Sequence, residues 1–180
     1  AFASDYVKSL GIDKSKIEVS YNGIEIDDMI NRSSDIIEKS KEIVNLYKLD
    51  SAISFLFVGG LLQEKRIEFL IDAFLKLRKR YNNIKLIIIG DGPLKTIIEN
   101  KINSHNDSNI LYLGRIIDGV DPYFAACDCF VLPGAGGLAL NQAMFWKKPC
   151  IVSKADGTED DLVIENQSGY RFMDNDLDSL

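Results

Sequence analysis

The stretch Ile53-Ser54-Phe55-Leu56-Phe57-Val58 is almost unbroken in its apolar character, and two glycines, Gly59 and Gly60, follow it directly. A continuous apolar run of this length is typical of a strand that is covered on both faces. Parallel sheets, with helices on each side, have both faces covered, and their strands are near-continuous apolar runs. This stretch therefore predicts a buried strand of a parallel sheet, and the glycines predict a loop at its carboxyl end.

The same order of strand, loop and helix continues along the chain. Apolar residues between Ile67 and Tyr81 recur on one face of a predicted helix, and Ile84–Ile89 predicts a second buried strand. The other predicted elements are helices at residues 33–47 and 138–147 and strands at residues 109–113, 129–132 and 150–152. Strands that alternate with helices predict an α/β fold, a Rossmann-like parallel sheet with helices on both faces.

Composition excludes several classes of protein. The 180 residues suffice for one ordinary domain, and 46% hydrophobic with 27% charged residues is typical of a globular chain rather than a disordered one. Lys and Arg number 21 against 27 Asp and Glu, a net charge of −6, which argues against a dedicated nucleic-acid binder. No apolar run approaches the roughly 20 residues of a membrane-spanning helix.

The three cysteines do not suggest a disulfide framework, because their number is odd and their neighbours are apolar. Cys127 and Cys129 have the spacing of half a metal site, but neither Cys150 nor the single histidine, His105, supplies the other half. We expect reduced thiols in the core, no bound metal or other cofactor, and a cytoplasmic protein.

Ligands of parallel α/β sheets bind outside the carboxyl ends of the strands. The loops there are rich in glycine: Gly59–Arg66, Gly90–Pro93, Gly114–Gly119 and Pro133–Gly137. Two of these loops each lead directly into a predicted helix, and the first N–H groups of a helix attract phosphate. Lys65 adds a full positive charge beside such a helix end. An ordinary solvated loop is the alternative interpretation of the residues around Lys65.

Other phosphate and nucleophile motifs are missing. No P-loop or serine nucleophile elbow is present, and Lys95 stands where a dinucleotide fingerprint requires its third glycine. With one histidine, in the polar loop around His105, a histidine-based triad is not expected.

Several short motifs do follow one another in a recognisable order: Phe57–Leu61 with Lys65, Ile89–Leu94, Leu113-Gly114, and Leu138–Met144 with Lys148-Pro149. Together, from about Ile17 to Phe172, they resemble the C-terminal half of GT-B glycosyltransferases, most closely retaining family 4, the glycosyl transferases group 1. Asp156–Leu162 is similar to a loop of a subgroup that acts in surface-polysaccharide biosynthesis.

The resemblance implies roles for individual residues. Lys65 matches the lysine that grips the donor diphosphate, and Gly137 and Leu138 match the backbone amides that meet the donor phosphate and sugar. It implies catalytic roles for Lys65 and Gln142. The donor-binding residues that we expect are Gly59, Gly60, Lys65, Arg66, Gly90, Arg115, Ile116, Gly136, Gly137, Leu138 and Gln142.

The chain departs from the family pattern at three positions. Gly60 stands where the family carries arginine, and Arg66 is then a candidate to replace that charge. The family also has two glutamates eight residues apart, and this chain has Gly134 at the first and Gln142 at the second, with a shortened Pro133–Gly137 loop.

The resemblance implies a retaining hexosyltransferase that moves a sugar from a nucleotide-sugar donor to a polysaccharide, lipid-linked or other glycan acceptor. Residues 1–21 are expected to end a preceding domain, and residues 22–180 to form a donor-binding domain that is truncated at its C-terminus. The missing N-terminal domain would bind the acceptor, so the fragment is expected to be inactive. Peripheral association of the full-length protein with the inner face of the cell membrane fits the same resemblance.

Two alternatives remain open: a non-catalytic glycosyltransferase-like subunit and a GT-B sugar-nucleotide epimerase.

Overall fold

A computed structural model describes residues 2–18, 20, 23–117, 119–154, 157–173, 176–177 and 179–180. The predicted boundary at residues 21 and 22, and Asp156 of the acidic loop, lie outside these residues. The strands are β1 (Ile53–Val58), β2 (Ile84–Ile89), β3 (Ile110–Tyr112), β4 (Cys129–Leu132), β5 (Cys150–Ser153) and β6 (Gly169–Phe172). The α-helices are α1 (Phe2–Ser9), α2 (Ile26–Tyr47), α3 (Ile67–Arg78), α4 (Lys95–His105), α5 (Asp121–Ala126), α6 (Leu138–Phe145) and α7 (Thr158–Leu162).

In the described part of the chain, the strands form one parallel sheet in the order β3-β2-β1-β4-β5-β6. This confirms the prediction of a Rossmann-like parallel sheet. The register pairs Ile53 with Ile84 and Val58 with Ile89, so β1 and β2 end level with each other. The chain runs from β1 outward to β2 and β3 and then returns to add β4 on the other side of β1. Such a reversal of strand order opens a crevice at the carboxyl ends of the strands, where ligands bind.

Burial on both faces explains why β1 and β2 are so apolar. Phe57 and Ile88 are fully buried, and the side of α3 that carries Ile67 and Ile71 packs into the same core. The strand bounds at 53–58, 84–89 and 129–132 agree with the predicted ones. Helix α2 begins seven residues earlier than predicted, because Asp27 and Asp28 suit a helix N-terminus although most side chains in that stretch are exposed.

All three cysteines are buried and free of disulfides, as the sequence predicts. Desolvation by burial raises the pKa of the Cys127, Cys129 and Cys150 thiols from 9.0 to about 12. In the unfolded chain these thiols lose their protons nearer to pH 9. The raised pKa values therefore contribute to the free energy of unfolding. This contribution is fully present below pH 9 and is lost as the pH rises from about 9 to 12.

Alkylation of these thiols should be slow unless the chain unfolds. A pKa three units higher leaves roughly one thousandth of the thiolate at a given pH, and the thiolate is the nucleophile. With iodoacetamide at pH 8, we expect the folded chain to react far more slowly than the chain in guanidinium chloride. Mass spectrometry of the time course measures this, and similar rates for both samples would contradict the burial.

None of the helices in the described residues is both long and apolar enough to cross a membrane.

Candidate functional site

A groove of about 540 Å³ opens at the carboxyl ends of β1 and β2 and beside the loop after β3. It is lined by Val58, Gly59, Gly60, Ile89, Gly90, Asp91, Gly92, Arg115 and Ile116. The structure thus brings together Gly59, Gly60, Gly90, Arg115 and Ile116, five of the residues expected to bind the donor. Asp91 and Gly92 also line the groove and were not among the expected site residues, although both belong to the quoted Ile89–Leu94 motif.

Glycine is frequent in the lining of this groove, where four of the nine residues have no side chain. A Cβ atom on Gly90 would lie 1.8 Å from the Gly59 carbonyl oxygen, and Gly90 has a positive φ of 154°. The Leu61 N–H donates to the Asp91 carbonyl at 2.9 Å, which ties the loops after β1 and β2 together. Glycine is required at position 90 because the two loops touch there, and it leaves main-chain groups accessible to a ligand.

Lys65 lies at the point where the strand order reverses, in a short 3-10 helix (Gln63–Lys65) between β1 and α3. Its ammonium group donates hydrogen bonds to the carbonyl oxygens of Ala135, at 2.6 Å, and Gly136. The N–H of Ala135 donates in the opposite direction to the Glu64 carbonyl at 2.9 Å. The cation therefore joins the loop after β1 to the Pro133–Gly137 loop after β4.

The Pro133–Gly137 loop is pressed closely against the loop that carries Lys65. A Cβ on Gly134 would lie 1.9 Å from the Glu64 carbonyl oxygen, so the backbone leaves no space for a side chain at position 134. The hydroxyl of Ser153, at the end of β5, donates to the Pro133 carbonyl at 2.9 Å and holds the start of the loop. This close packing gives the physical reason for glycine where the family resemblance implies a glutamate.

The N-terminus of α6 points into the same region. Gly137 precedes the helix with a φ of 157° and a ψ of 176°, a conformation that strongly favours glycine, and its Cβ position lies 3.8 Å from the Lys65 Nζ. Leu138 begins the helix and is 43% exposed, whereas Gln142, about one turn later, is half-buried. Lys65 thus adds its positive charge to the partial positive charge of the helix end.

Arg66, the next residue, packs against an aromatic ring. Its guanidinium carbon lies 5.2 Å from the centroid of the Phe69 ring, on the first turn of α3, and it does not line the groove. The expected site residues thus form two adjacent groups: the groove beside β1, β2 and β3, and the cationic end of the crevice around Lys65 and α6. A glycine-rich groove at one end and positive charge at the other suit a ligand with a planar ring and an anionic tail.

In the residues that the structure describes, no three His, Cys, Asp or Glu side chains are grouped so as to hold a metal ion.

Comparison with known proteins agrees with this geometry. The family model described as "Glycosyl transferases group 1" matches residues 52–180. An uncharacterized glycosyltransferase of Methanocaldococcus jannaschii, MJ1178, is 30% identical over 171 residues, 93% of this chain and 42% of its own length. Alpha-monoglucosyldiacylglycerol synthase of Acholeplasma laidlawii is 31% identical over 126 residues, 67% of this chain and 31% of its own length.

A solved structure shows the same fold. Anabaena Alr3699/HepE, crystallised in complex with UDP and glucose, superposes with a TM-score of 0.79 at 18% identity, over 98% of this chain and 48% of that one. The chain spans less than half the length of each of these proteins. The family model matches most of the chain, and the sheet order agrees with a GT-B domain. The chain therefore belongs to the glycosyl transferases of group 1 and has the fold of a GT-B C-terminal domain.

Proposed function

We propose that this chain is the donor-binding domain of a retaining glycosyltransferase, which transfers a sugar from a nucleoside-diphosphate sugar to a glycan or lipid-linked acceptor. The observation that carries the proposal is the contact of Lys65 with the loop that begins α6, beside a groove of about 540 Å³. A groove of that volume is within the range of small-ligand sites. The diphosphate occupies the cationic end, and the nucleoside lies in the glycine-rich groove.

The chemistry of transfer follows from the charge that develops in the reaction. As the bond from the sugar to the diphosphate breaks, the leaving nucleoside diphosphate gains negative charge. The Lys65 ammonium and the first N–H groups of α6 are fixed beside it and stabilise that charge. Arg115 and Ile116 contact the base through their main chain, and Gln142 donates and accepts hydrogen bonds at the ribose hydroxyls.

The rest of the protein supplies the acceptor in this proposal. The relatives are more than twice as long as this chain, and an acceptor domain would close over the carboxyl edge of the sheet. The chain on its own then binds nucleoside diphosphates and transfers no sugar. In this proposal the full-length enzyme acts in the cytoplasm, and at the inner face of the cell membrane when its acceptor is a lipid. The Acholeplasma relative is named alpha-monoglucosyldiacylglycerol synthase, which is the reason for including a lipid-linked acceptor.

A thermal-shift screen of this chain against UDP, GDP, ADP and TDP tests the proposal. A nucleotide at 100 times its dissociation constant adds about 2.7 kcal/mol of stability, whereas the corresponding nucleoside should add far less. Incubation of full-length protein with labelled donors then tests turnover. Stabilisation by none of the four nucleotides would refute donor binding by this domain.

A non-catalytic subunit remains the second candidate, because one observation favours it. The backbone at Gly134 has no space for a carboxylate side chain, and Gln142 carries an amide. A domain of this kind would bind the same nucleotides without turnover. Donor binding without sugar transfer by the full-length protein would support the subunit.

Replacing Gln142 by glutamate should tighten nucleotide binding by about 1 kcal/mol if the ribose lies beside α6, since hydrogen bonds to a charged acceptor are about twice as strong. Repulsion from the phosphates opposes this gain, so the effect should grow as salt screens the repulsion. Isothermal titration of both variants with the best nucleotide measures it. Unchanged affinity at low and high salt would remove Gln142 from the site.

A further inference from the structure

One main-chain N–H group in the loop after β2 is available to a ligand. Within the described part of the chain, five of the six main-chain N–H and C=O groups of residues 90–92 have partners, at 2.8 to 3.0 Å. The five hydrogen bonds join the Gly90 N–H to the Gly114 carbonyl, the Tyr112 hydroxyl to the Gly90 carbonyl, the Leu61 N–H to the Asp91 carbonyl, the Gly92 N–H to the Asp91 carboxylate and the Lys95 N–H to the Gly92 carbonyl. The sixth group is the N–H of Asp91, for which the described residues provide no acceptor. Asp91 is exposed and lines the groove, so a bound ligand can accept this hydrogen bond.

Tyr112 fixes the direction of this N–H. It ends β3, pairs in register with Ile88 of β2, and donates from its hydroxyl to the Gly90 carbonyl at 3.0 Å. The Gly90 carbonyl and the Asp91 N–H belong to one trans peptide, in which the two groups point in opposite directions. The N–H of Asp91 is therefore directed away from Tyr112. Burial raises the pKa of Tyr112, and the Asp91 and Glu99 carboxylates raise it further, so the hydroxyl keeps its proton and donates at neutral pH.

The peptide between Gly90 and Asp91 has no second hydrogen bond to the described residues. The peptide before it is held by the Gly59 N–H and the Gly114 carbonyl, and the peptide after it is held by the Leu61 N–H. Because a glycine lies on one side of the middle peptide, that peptide can turn at little cost when nothing holds it. Its orientation therefore depends on the tyrosine hydroxyl at the end of β3.

We propose that the N–H of Asp91 donates a hydrogen bond to a carbonyl oxygen of the nucleotide base, and that Tyr112 is a positioning residue, which holds the peptide so that this N–H faces the groove. The inference rests on the proposed donor-binding function and adds to it. Asp91 binds the base from the loop after β2, and Arg115 and Ile116 bind it from the loop after β3. Uracil, thymine and guanine carry such an oxygen, whereas adenine carries an amino group there, a donor that would face the N–H. Tyr112 acts through the peptide and does not touch the ligand.

Isothermal titration with UDP, and with inorganic pyrophosphate as the ligand without a base, tests this in the whole chain. Tyr112→Phe keeps the ring and removes only the hydroxyl, so the peptide is free to turn. We expect this variant to bind UDP about three- to tenfold more weakly, the worth of about one neutral hydrogen bond, and to bind pyrophosphate as the wild type does. The matched control is Tyr123→Phe on α5, which removes another half-buried hydroxyl, hydrogen-bonded to Tyr47, and should bind UDP like the wild type.

Amide NMR spectra follow the N–H itself. The proton resonance of the Asp91 amide should move downfield when UDP saturates the wild type, because a new hydrogen bond forms, and should move less in Tyr112→Phe. A purely structural role of Tyr112 predicts instead a lower melting temperature with UDP affinity within twofold of the wild type, and that result would overturn the proposal, as would an Asp91 resonance that does not move.

The choice of nucleotide separates this inference from the proposed function. Binding of ADP by the wild type, without binding of UDP, GDP or TDP, would overturn the hydrogen bond to a base carbonyl and leave donor binding intact. Failure of the wild type to bind any of the four nucleotides would refute the proposed function, and this inference with it.

Discussion

Replacing Gly134 by alanine is expected to lower the free energy of unfolding by about 3 kcal/mol, at the upper end of the usual cost of overpacking. The added methyl group would lie 1.9 Å from the Glu64 carbonyl oxygen. The nearest atoms, in Glu64 and Lys65, all belong to the backbone, which cannot move aside as a flexible side chain can. The loops after β1 and β4 would separate. Urea denaturation of the wild type and the variant measures the loss.

Gly60→Ala is the matched control for this change. Gly60 also lies in a loop at the carboxyl edge, but its Cβ position is 3.4 Å from the nearest atom, on the flexible Leu62 side chain. We expect Gly60→Ala to change stability by about 0.5 kcal/mol or less. Equal stability of the two variants would show that the contact between Gly134 and Glu64 is not tight.

Truncating Lys65 to alanine should weaken the binding of UDP by about 1.5–3 kcal/mol, the range for a hydrogen bond to a charged group. Uridine should bind almost as before, because it has no phosphate to face the ammonium group. Isothermal titration with both ligands gives the two affinities. The same loss for both ligands, or no loss, would mean that Lys65 serves only to hold the Pro133–Gly137 loop.

Lys79→Ala provides the control, since Lys79 is an exposed lysine beyond the other end of α3. It removes the same charge from the whole molecule and should leave UDP affinity within about twofold, because exposed charges at a distance are screened by salt. Comparison of the two lysine variants separates a local contact from a general effect of net charge.

The sheet could be predicted from the sequence because its signals are local. The apolar runs at β1 and β2 report burial on both faces, and the glycines that follow mark the carboxyl ends of the strands where the groove opens. The start of α2 was predicted seven residues too late. Ile26, Met29 and Ile30 do have helical spacing, but the apolar stripe is short there, and two of these three side chains are exposed.

The details of the site depend on contacts that no local pattern reveals. The need for glycine at position 134 comes from the backbone of Glu64, seventy positions earlier in the chain. The ring of Phe69 likewise stacks on that of Phe172, more than a hundred positions later. The order of the motifs pointed to Lys65 as a cation of the site, but not to the carbonyl groups that it contacts or to the Phe69 ring beside Arg66.

The direction of one peptide plane bears on how a phosphate enters the crevice. The carbonyl of Gly136 faces the Lys65 ammonium, so the N–H of Gly137, in the same planar trans peptide, points away from it. A phosphate oxygen beside Lys65 therefore cannot reach that N–H until the peptide turns over, a rotation that glycine on both sides makes inexpensive. A phosphate oxygen competes with the carbonyl oxygens of Ala135 and Gly136 for the ammonium group of Lys65. The measured affinity for a phosphate is therefore lower than the intrinsic affinity, because existing hydrogen bonds are replaced.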